Sequence, residues 1–354
     1  MISKAGSGYI PMMREMIRDV NQLFMKKILE YLSQDSRPIY SKRKLMCCEM
    51  WQDQMSANTL NFTEDSSKTA ITSAAKLRSA RRLIVKIGSA VVADAETGEV
   101  RGPWLETLIK DVVRFFARGQ QVIIVSSGAV AAGSCHWKPL DRSSLRIEEK
   151  QAAAAIGQIR LMLAYEQRLK RHGFGLGQVL LTGADIDNQR CRFNVRSALQ
   201  QLLNVGAVPV INENDATVTA DIRLGDNDRL AARVAQIAMA DVLILLSDVD
   251  GLFTEDPHDN PLAHIIPKVR CITPEIENIA GLSPARHGSG GMVTKLMAAR
   301  IAMEAGCDVV IAKGNKSYPL AAIENGAPTT WFIAPAKESA SRADPTAGDP
   351  KRRS

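Results

Sequence analysis

Two lysines lie at positions that suit an anion. Lys86 lies inside an otherwise apolar run, Leu83–Ile87, and burial of an ammonium group without a counter-charge is unfavourable. Lys295 ends a glycine-rich stretch, His287–Lys295, that opens a helical pattern. Glycines leave backbone N–H groups bare, and a cation beside them favours phosphate. The two lysines therefore indicate a phosphate site, although Lys86 could instead extend to solvent and the glycine-rich stretch could be an ordinary surface loop.

Carboxylates and amides are concentrated between Val208 and Ala232. They follow the apolar run VPVIN, and they include Asn212, Asp215, Asp226, Asn227 and Asp228. Such side chains bind a ligand's ammonium group, or they cap a turn and a helix through local hydrogen bonds. Capping explains one cluster, but two polar clusters flank VTADIRL, so the pattern favours a binding site.

Small and hydroxyl-bearing residues follow three further apolar runs. Gly88 follows the first run, Ser127 ends the second, and the pair Ser247-Asp248 ends the fifth. Each of these alone is typical of an ordinary turn or helix cap. Ligands of open parallel sheets bind beyond the carboxyl ends of the strands, so together these residues predict one shared site.

The elements that must position these residues can be read from the apolar periodicity. Short β-branched runs predict six strands buried on both faces, at 83–87, 121–127, 177–181, 208–212, 242–248 and 309–313. Helical patterns lie between them, at 104–118, 147–171, 190–203, 228–239 and 293–305. Four glycines stand where a helix should end: Gly119, Gly173, Gly206 and Gly306. This alternation predicts an α/β fold with a mostly parallel central sheet, in one domain over residues 81–336.

The two ends of the chain differ from this domain. Residues 1–80 are predicted to be an extension, with one helix at Pro11–Leu32 and a disordered Ser-, Thr- and Asn-rich linker over residues 52–80. Residues 337–354 are predicted to be a disordered basic tail. Of the net charge of +7, residues 1–80 carry +4 and residues 337–354 carry +2. The core is therefore close to neutral, and we expect it not to bind nucleic acid.

The number and spacing of the cysteines and histidines indicate the redox environment and whether a structural metal is expected. The six cysteines form no CxxC pair and no secretory signal is recognised, so we expect reduced thiols in a cytoplasmic protein. No apolar run reaches the roughly 18 residues that a membrane span needs. The five histidines show no ligand spacing, so a protein-bound structural metal is not expected.

Taken together, six motifs in order resemble the amino acid kinase family over residues 82–332: VKIGSAVV, VIIVSSGAVAAG, VPVINENDA, GDNDRLAA, LLSDVDGL and GSGGMVTK. The resemblance implies a three-layer α/β/α sandwich that transfers the γ-phosphoryl group of ATP, with Mg²⁺, to an acidic acceptor. The motifs are most similar to the branch whose acceptor is the side-chain carboxylate of L-glutamate, which starts proline biosynthesis.

The resemblance also implies roles for particular residues. Lys86 and Lys295 would flank the transferring phosphoryl group, and Asp228 would orient both lysines. The glutamate would be held by Ser127, Asp215 and Asn227, with Asn212 and Asp226 nearby. The ATP would be held by Lys86, Gly88, Ser247, Asp248 and the loop residues Ser289, Gly290, Gly291, Met292, Val293, Thr294 and Lys295.

Further expectations, and rival interpretations, accompany the resemblance. It implies a homo-oligomer and a separate reductase that uses the labile acyl phosphate. Many members carry a C-terminal PUA domain, which is not expected here because only about 20 residues follow the core. The acceptor could instead be acetylglutamate, aspartate, carbamate or a nucleoside monophosphate, but the acidic cluster favours a free ammonium group. A non-catalytic sensor and an RNA-binding protein are the alternatives from other classes.

Overall fold

The computed structural model describes residues 66–94, 96–134, 145–217, 227–257, 260–282 and 291–335. Its strands are β1 (Arg82–Ile87), β2 (Gln121–Val125), β3 (Gly175–Leu181), β4 (Ala207–Glu213), β5 (Val242–Ser247), β6 (Lys268–Val269), β7 (Asp308–Lys313) and β8 (Thr329–Phe332). Its helices are α1 (Ser66–Ser79), α2 (Ser89–Val92), α3 (Gly102–Phe116), α4 (Ala129–Ser134), α5 (Ile147–Arg171), α6 (Gly183–Asp187), α7 (Gln189–Asn204), α8 (Asn227–Ala238), α9 (Pro274–Leu282), α10 (Met292–Glu304) and α11 (Pro319–Glu324).

The strands form one sheet with the order β3-β4-β2-β1-β5-β7-β8-β6. All neighbouring strands run parallel except β7 and β8, which are antiparallel. One face of the sheet packs against α3, α5 and α11, and the opposite face packs against α8 and α10. The predicted three-layer α/β/α sandwich is confirmed. Every predicted strand is present, but the short strands β6 and β8 were not predicted.

Glycines end four helices as the sequence predicted. Gly119, Gly173, Gly206 and Gly306 all adopt positive φ, between 75° and 79°. That conformation costs glycine little, whereas a side chain there would be strained. The helices before them therefore stop at defined points, and the chain turns back into the next strand.

The prediction of a disordered linker over residues 52–80 is wrong for its last part, because Ser66–Ser79 form α1. The Leu77 side chain is fully buried, and Gln120 Nε2 donates to the Leu77 carbonyl at 2.7 Å. Trp331 Nε1 donates to Ser73 Oγ at 2.9 Å. The composition of this segment is poor in large apolar residues and therefore predicted disorder. The helix is instead stabilised by contacts with residues that are distant in sequence. The predicted helix Pro11–Leu32 and the predicted tail 337–354 lie outside the described residues.

The helices α4 and α5 meet backbone to backbone. A Cβ atom on Gly133 would lie 1.7 Å from the Ala153 carbonyl oxygen, and one on Gly157 would lie 1.8 Å from the Ala129 carbonyl oxygen. Only glycine fits at either position, because no side-chain atom can approach backbone so closely. This crossing fixes α4, which begins directly after the polar end of β2.

Within the described part of the chain, no helix is long and apolar enough to cross a membrane. The same residues contain no group of three or more His, Cys, Asp or Glu side chains arranged to hold a metal ion.

Candidate active site

The sheet reverses its winding direction at β1. The chain leaves β1 for β2 on one side, and later crosses to β5 on the other side. In an open parallel sheet this switch point opens a crevice beyond the carboxyl ends of the strands, where ligands bind. The predicted residues Lys86, Ser127, Asn212 and Ser247 lie at or just after the carboxyl ends of β1, β2, β4 and β5, so they border one crevice.

Two lysines and one aspartate form the centre of the crevice. Lys86 Nζ lies 2.6 Å from Asp228 Oδ1, and Lys295 Nζ lies 3.2 Å from Asp228 Oδ2. Asp228 is fully buried at the start of α8, and the two lysines are only 6% and 4% exposed. The formal charge of this trio is +1. Asp228 thus contacts both lysines, and the net charge suits an anion.

The electrostatics of the trio keep Asp228 ionised. Burial alone would raise the pKa of this carboxyl group, but the ammonium groups of Lys86 and Lys295 outweigh burial and hold the pKa below its usual value. An ionised Asp228 fixes the direction of both ammonium groups. Their position is therefore set before any ligand arrives.

The other side of the crevice is a network of amides and hydroxyls. Asn227 Nδ2 lies 2.9 Å from each of three acceptors: the Ser126 carbonyl oxygen, Ser127 Oγ and Asn212 Oδ1. This network joins β2, β4 and α8, and Asn212 is only 2% exposed. In the described part of the chain, Asn227 Oδ1 and Asn212 Nδ2 are buried and have no hydrogen-bond partner. One acceptor and one donor are thus left for a polar ligand.

Tyr165 contacts this network through Ser126, and the sequence did not predict this contact. Its hydroxyl oxygen lies 3.2 Å from Ser126 Oγ, and its side chain is fully buried on α5. Burial raises the pKa of this phenol, so the hydroxyl stays protonated. The apolar periodicity of α5 predicts only that Tyr165 faces the core. Its hydroxyl contact depends on how α5 crosses the sheet.

The opposite side of the crevice lies over β5, β7 and the start of α10. Ser247 Oγ donates to Asp248 Oδ1 at 2.9 Å. Gly291 caps α10 without a side-chain hydrogen bond, and Thr294 Oγ donates back to the Gly291 carbonyl at 2.8 Å. The first turn of α10 contains Met292, Val293, Thr294 and Lys295, so the predicted phosphate loop does lead into a helix start beside the lysine trio.

Gly88, which the resemblance assigns to ATP, lies directly after β1. Its N–H donates to the Leu246 carbonyl at 3.1 Å, so this group joins β1 to β5. Asp215 lies in the turn after β4 and is partly exposed. The remaining predicted residues, Asp226, Ser289 and Gly290, lie outside the described residues.

A model described as the amino acid kinase family matches residues 81–313. The match spans more than half of the chain, and it includes the lysine trio and the amide network. The chain belongs to the amino acid kinase family.

Three individual relatives that the chain resembles are named as glutamate 5-kinases. Glutamate 5-kinase 2 of Mesorhizobium japonicum is 86% identical over 271 residues, which are 77% of this chain and 95% of the relative. Glutamate 5-kinase 2 of Rhizobium meliloti is 51% identical over 262 residues, 74% of this chain and 97% of the relative. Glutamate 5-kinase of Paramagnetospirillum magneticum is 55% identical over 257 residues, 73% of this chain and 69% of the relative.

A solved structure supports the fold alone. The crystal structure of UMP kinase from Ureaplasma parvum superimposes with a TM-score of 0.50 over 72% of this chain and 98% of that chain. The sequence identity is 14%, so nothing about the ligand follows from this likeness.

Proposed function

We propose that the chain transfers the γ-phosphoryl group of ATP to the side-chain carboxylate of L-glutamate, which gives L-glutamyl 5-phosphate. This reaction would begin proline biosynthesis. The observation that carries the proposal is the buried Lys86–Asp228–Lys295 trio, which lies between an amide network and a glycine-led helix start. Relatives named for glutamate 5-kinase activity, at 86% and 51% identity, support the choice of acceptor.

The chemistry needs no general base. A glutamate side chain has a reference pKa of about 4.3, so its carboxylate is already a nucleophile at neutral pH. The barrier is the approach of one anion to another, and phosphoryl transfer therefore depends on positioning and on electrostatic stabilisation. Lys86 and Lys295 would flank the transferring phosphoryl group and stabilise the charge that spreads over its oxygens. Asp228 would hold both ammonium groups in place without touching the reacting atoms.

The amide network would recognise the acceptor. Ser127, Asn212 and Asn227 present a buried donor and a buried acceptor on the side away from the nucleotide. Asp215, with Asp226, would receive the free α-ammonium group. A site that hydrogen-bonds its substrate rejects analogues that lack the matching group, because its own buried polar groups would then be unpaired. This supports free glutamate over N-acetylglutamate as the acceptor.

The nucleotide would lie over β5 and the start of α10. Ser247 and Asp248 would contact the nucleoside part, and the loop that leads into Met292–Lys295 would surround the phosphates. Mg²⁺ would enter with ATP, because phosphate oxygens supply most of the ligands that it prefers. We assign no side chain of the described residues to the cation.

The proposal is tested by trapping the acyl phosphate. The purified chain is incubated with ATP, Mg²⁺, hydroxylamine and one acceptor at a time: L-glutamate, N-acetylglutamate, L-aspartate or UMP. We expect hydroxamate and ADP with L-glutamate alone. Product with a different acceptor would retain the phosphoryl-transfer site and overturn the substrate, whereas nucleotide binding without any product would favour a sensor.

Two features of the product and of the surface support proposals about partners. An acyl phosphate hydrolyses in water, so a separate reductase that uses it at once is a plausible consumer of the product. The exposed large apolar side chains include Ile159 at 64%, Phe193 at 69% and Val205 at 75%. Such side chains favour association, and we propose a homo-oligomer, which sedimentation analysis would test.

A further inference from the structure

Lys313 belongs to the same face of the sheet as the lysine trio. Side chains alternate along a strand, and Val309 and Ile311 pack into the core beside α8 and α10, so Lys313 at the end of β7 points to that side. The same alternation places Ser247 on this face after Leu245, and Lys86 after Ile84. Three polar side chains therefore end the adjacent strands β1, β5 and β7 on one face.

The register of the strands gives the spacing of this row. Lys313 is opposite Ser247, and Lys86 is opposite Leu245 on the shared neighbour β5. Lys313 is thus two strands across from Lys86 and two residues further toward the crevice. With strands about 4.8 Å apart and about 3.3 Å per residue, their Cα atoms are separated by about 12 Å. Two lysine side chains that reach toward each other can contact opposite ends of one triphosphate across such a gap.

Lys313 is held in this position by its surroundings. Its Nζ lies 3.5 Å from Asp250 Oδ2, and about a third of each side chain is exposed. The backbone on both sides is fixed, since Gly314 N donates to the Ser247 carbonyl at 2.7 Å and Leu252 N donates to Thr330 Oγ at 2.8 Å. A partly exposed ion pair contributes little to stability, so folding gives no strong reason for a lysine at the end of a buried strand.

We infer that Lys313 binds the α-phosphate of the nucleotide, and that Asp250 orients its ammonium group. This rests on the proposed function, because it takes the γ-phosphoryl group to lie between Lys86 and Lys295. The triphosphate then runs from β1 across β5 to Lys313 on β7. Ser247 is opposite Lys313, so it lies where the α-phosphate meets the nucleoside. Lys313 is a binding residue for the nucleotide, and Asp250 is a positioning residue that acts through it.

The test is a series of nucleotides that differ in phosphate number. Affinities for adenosine, AMP, ADP and ATP are measured by calorimetry, with competition against ADP for the weak ligands, on the full chain and on Lys313→Met. We expect about a tenfold loss of affinity for AMP, ADP and ATP alike, which is typical of one lost charge-assisted hydrogen bond, and no change for adenosine. Lys110→Met, which removes an exposed lysine from α3, is the matched control and should behave as the wild type.

Kinetic measurements and two further variants distinguish a loss of nucleotide binding from a general loss of stability. Lys313→Met should raise the KM for ATP and leave the KM for glutamate and the melting temperature unchanged. Lys313→Arg should restore most of the affinity, and Asp250→Asn should lose about threefold. A loss confined to ATP, an equal loss for adenosine, or no loss at all would each overturn the assignment. The nucleotide series needs no acceptor, so it tests Lys313 independently of glutamate. If the chain forms no glutamyl hydroxamate but shows the expected pattern of affinities, the assignment of Lys313 stands and only the proposed acceptor is wrong.

Discussion

The two sides of the crevice are built differently. On the proposed acceptor side the polar groups are buried and bonded to each other: Asn227 alone joins three elements, and Asn212 and Ser127 are at most 5% exposed. On the proposed nucleotide side Ser247 is buried, but Asp248 is exposed and the Lys313–Asp250 pair is one third exposed. A small acceptor is recognised by few groups, so each must be fixed and dry. A nucleotide is large, and its binding can be spread over several weaker contacts.

This difference predicts how mutational effects should be distributed. A buried polar group that loses its partner costs its full desolvation penalty, whereas an exposed one is solvated again by water. Single substitutions on the acceptor side should therefore cost more than single substitutions on the nucleotide side. The lysine trio belongs to both sides, and its loss should cost the most.

Replacement of Lys295 by Met should lower kcat about 100- to 1,000-fold. The substitution keeps the apolar stem but removes one of the two cations that stabilise the transferring phosphoryl group, and such preorganised charge is worth several kcal/mol in a dry site. The measurement is hydroxamate formation at saturating ATP and glutamate, with Lys110→Met as the control. A kcat within a factor of three of the wild type would show that Lys295 has no part in the reaction.

Replacement of Asn227 by Ala should raise the KM for glutamate about 30- to 100-fold and change the KM for ATP by less than a factor of three. The substitution removes the side chain that joins Ser126, Ser127 and Asn212, and it opens buried hydrogen-bonding groups on the acceptor side. Initial rates with each substrate varied in turn give both constants. Equal increases in the two KM values would contradict a division of the crevice into two sides.

The amino-acid sequence predicts the centre and the acceptor side better than the nucleotide side. Lys86 lies within a short apolar run, and Asn212 and Ser127 end two others, so knowledge of a parallel sheet suffices to bring them to one edge. Asp228 follows a helix-start pattern in the same way. These predictions depend only on local periodicity and on the rule that ligands bind beyond the strand ends.

The contacts that were missed depend on the order of the strands. Lys313 and Asp250 meet because β7 is the neighbour of β5, and no local pattern states which strands are neighbours. The short strands β6 and β8 have too few residues to show a period. The Gly88 N–H likewise has a partner that no local pattern identifies, because its acceptor, the Leu246 carbonyl, lies on a strand more than 150 residues away.

Replacement of Gly157 by Ala should lower the free energy of unfolding by about 2 kcal/mol. A Cβ atom there would lie 1.8 Å from the Ala129 carbonyl oxygen, so α4 must move away from α5, and overpacking of this kind typically costs 1–3 kcal/mol. Gly281→Ala is a matched control in helix α9, because a Cβ at Gly281 meets nothing within 4 Å. Chemical denaturation should show a loss for Gly157→Ala and a gain of up to about 1 kcal/mol for Gly281→Ala.

The same substitution also sharpens the comparison between the two sides. The helix α4 begins right after Ser127 and Gly128, so its displacement should reach the acceptor side first. We expect the KM for glutamate of the folded Gly157→Ala variant to rise more than its KM for ATP. An intact KM for glutamate with a reduced unfolding free energy would show that the crossing stabilises the fold without setting the site.

Replacement of Tyr165 by Phe should have the smallest effect, a rise of about fivefold in the KM for glutamate. The ring and its packing stay, and only the hydroxyl group that meets Ser126 Oγ at 3.2 Å is lost. One neutral hydrogen bond contributes about 1 kcal/mol, which corresponds to a factor of about five. Because Ser126 also provides the carbonyl oxygen that accepts from Asn227, a looser Ser126 should weaken acceptor binding and leave nucleotide binding unchanged. The double variant with Ser126→Ala decides whether this path is real: if Tyr165 acts through Ser126, removing both hydroxyl groups should cost no more than removing one, whereas additive losses would make Tyr165 a core residue with no link to the site.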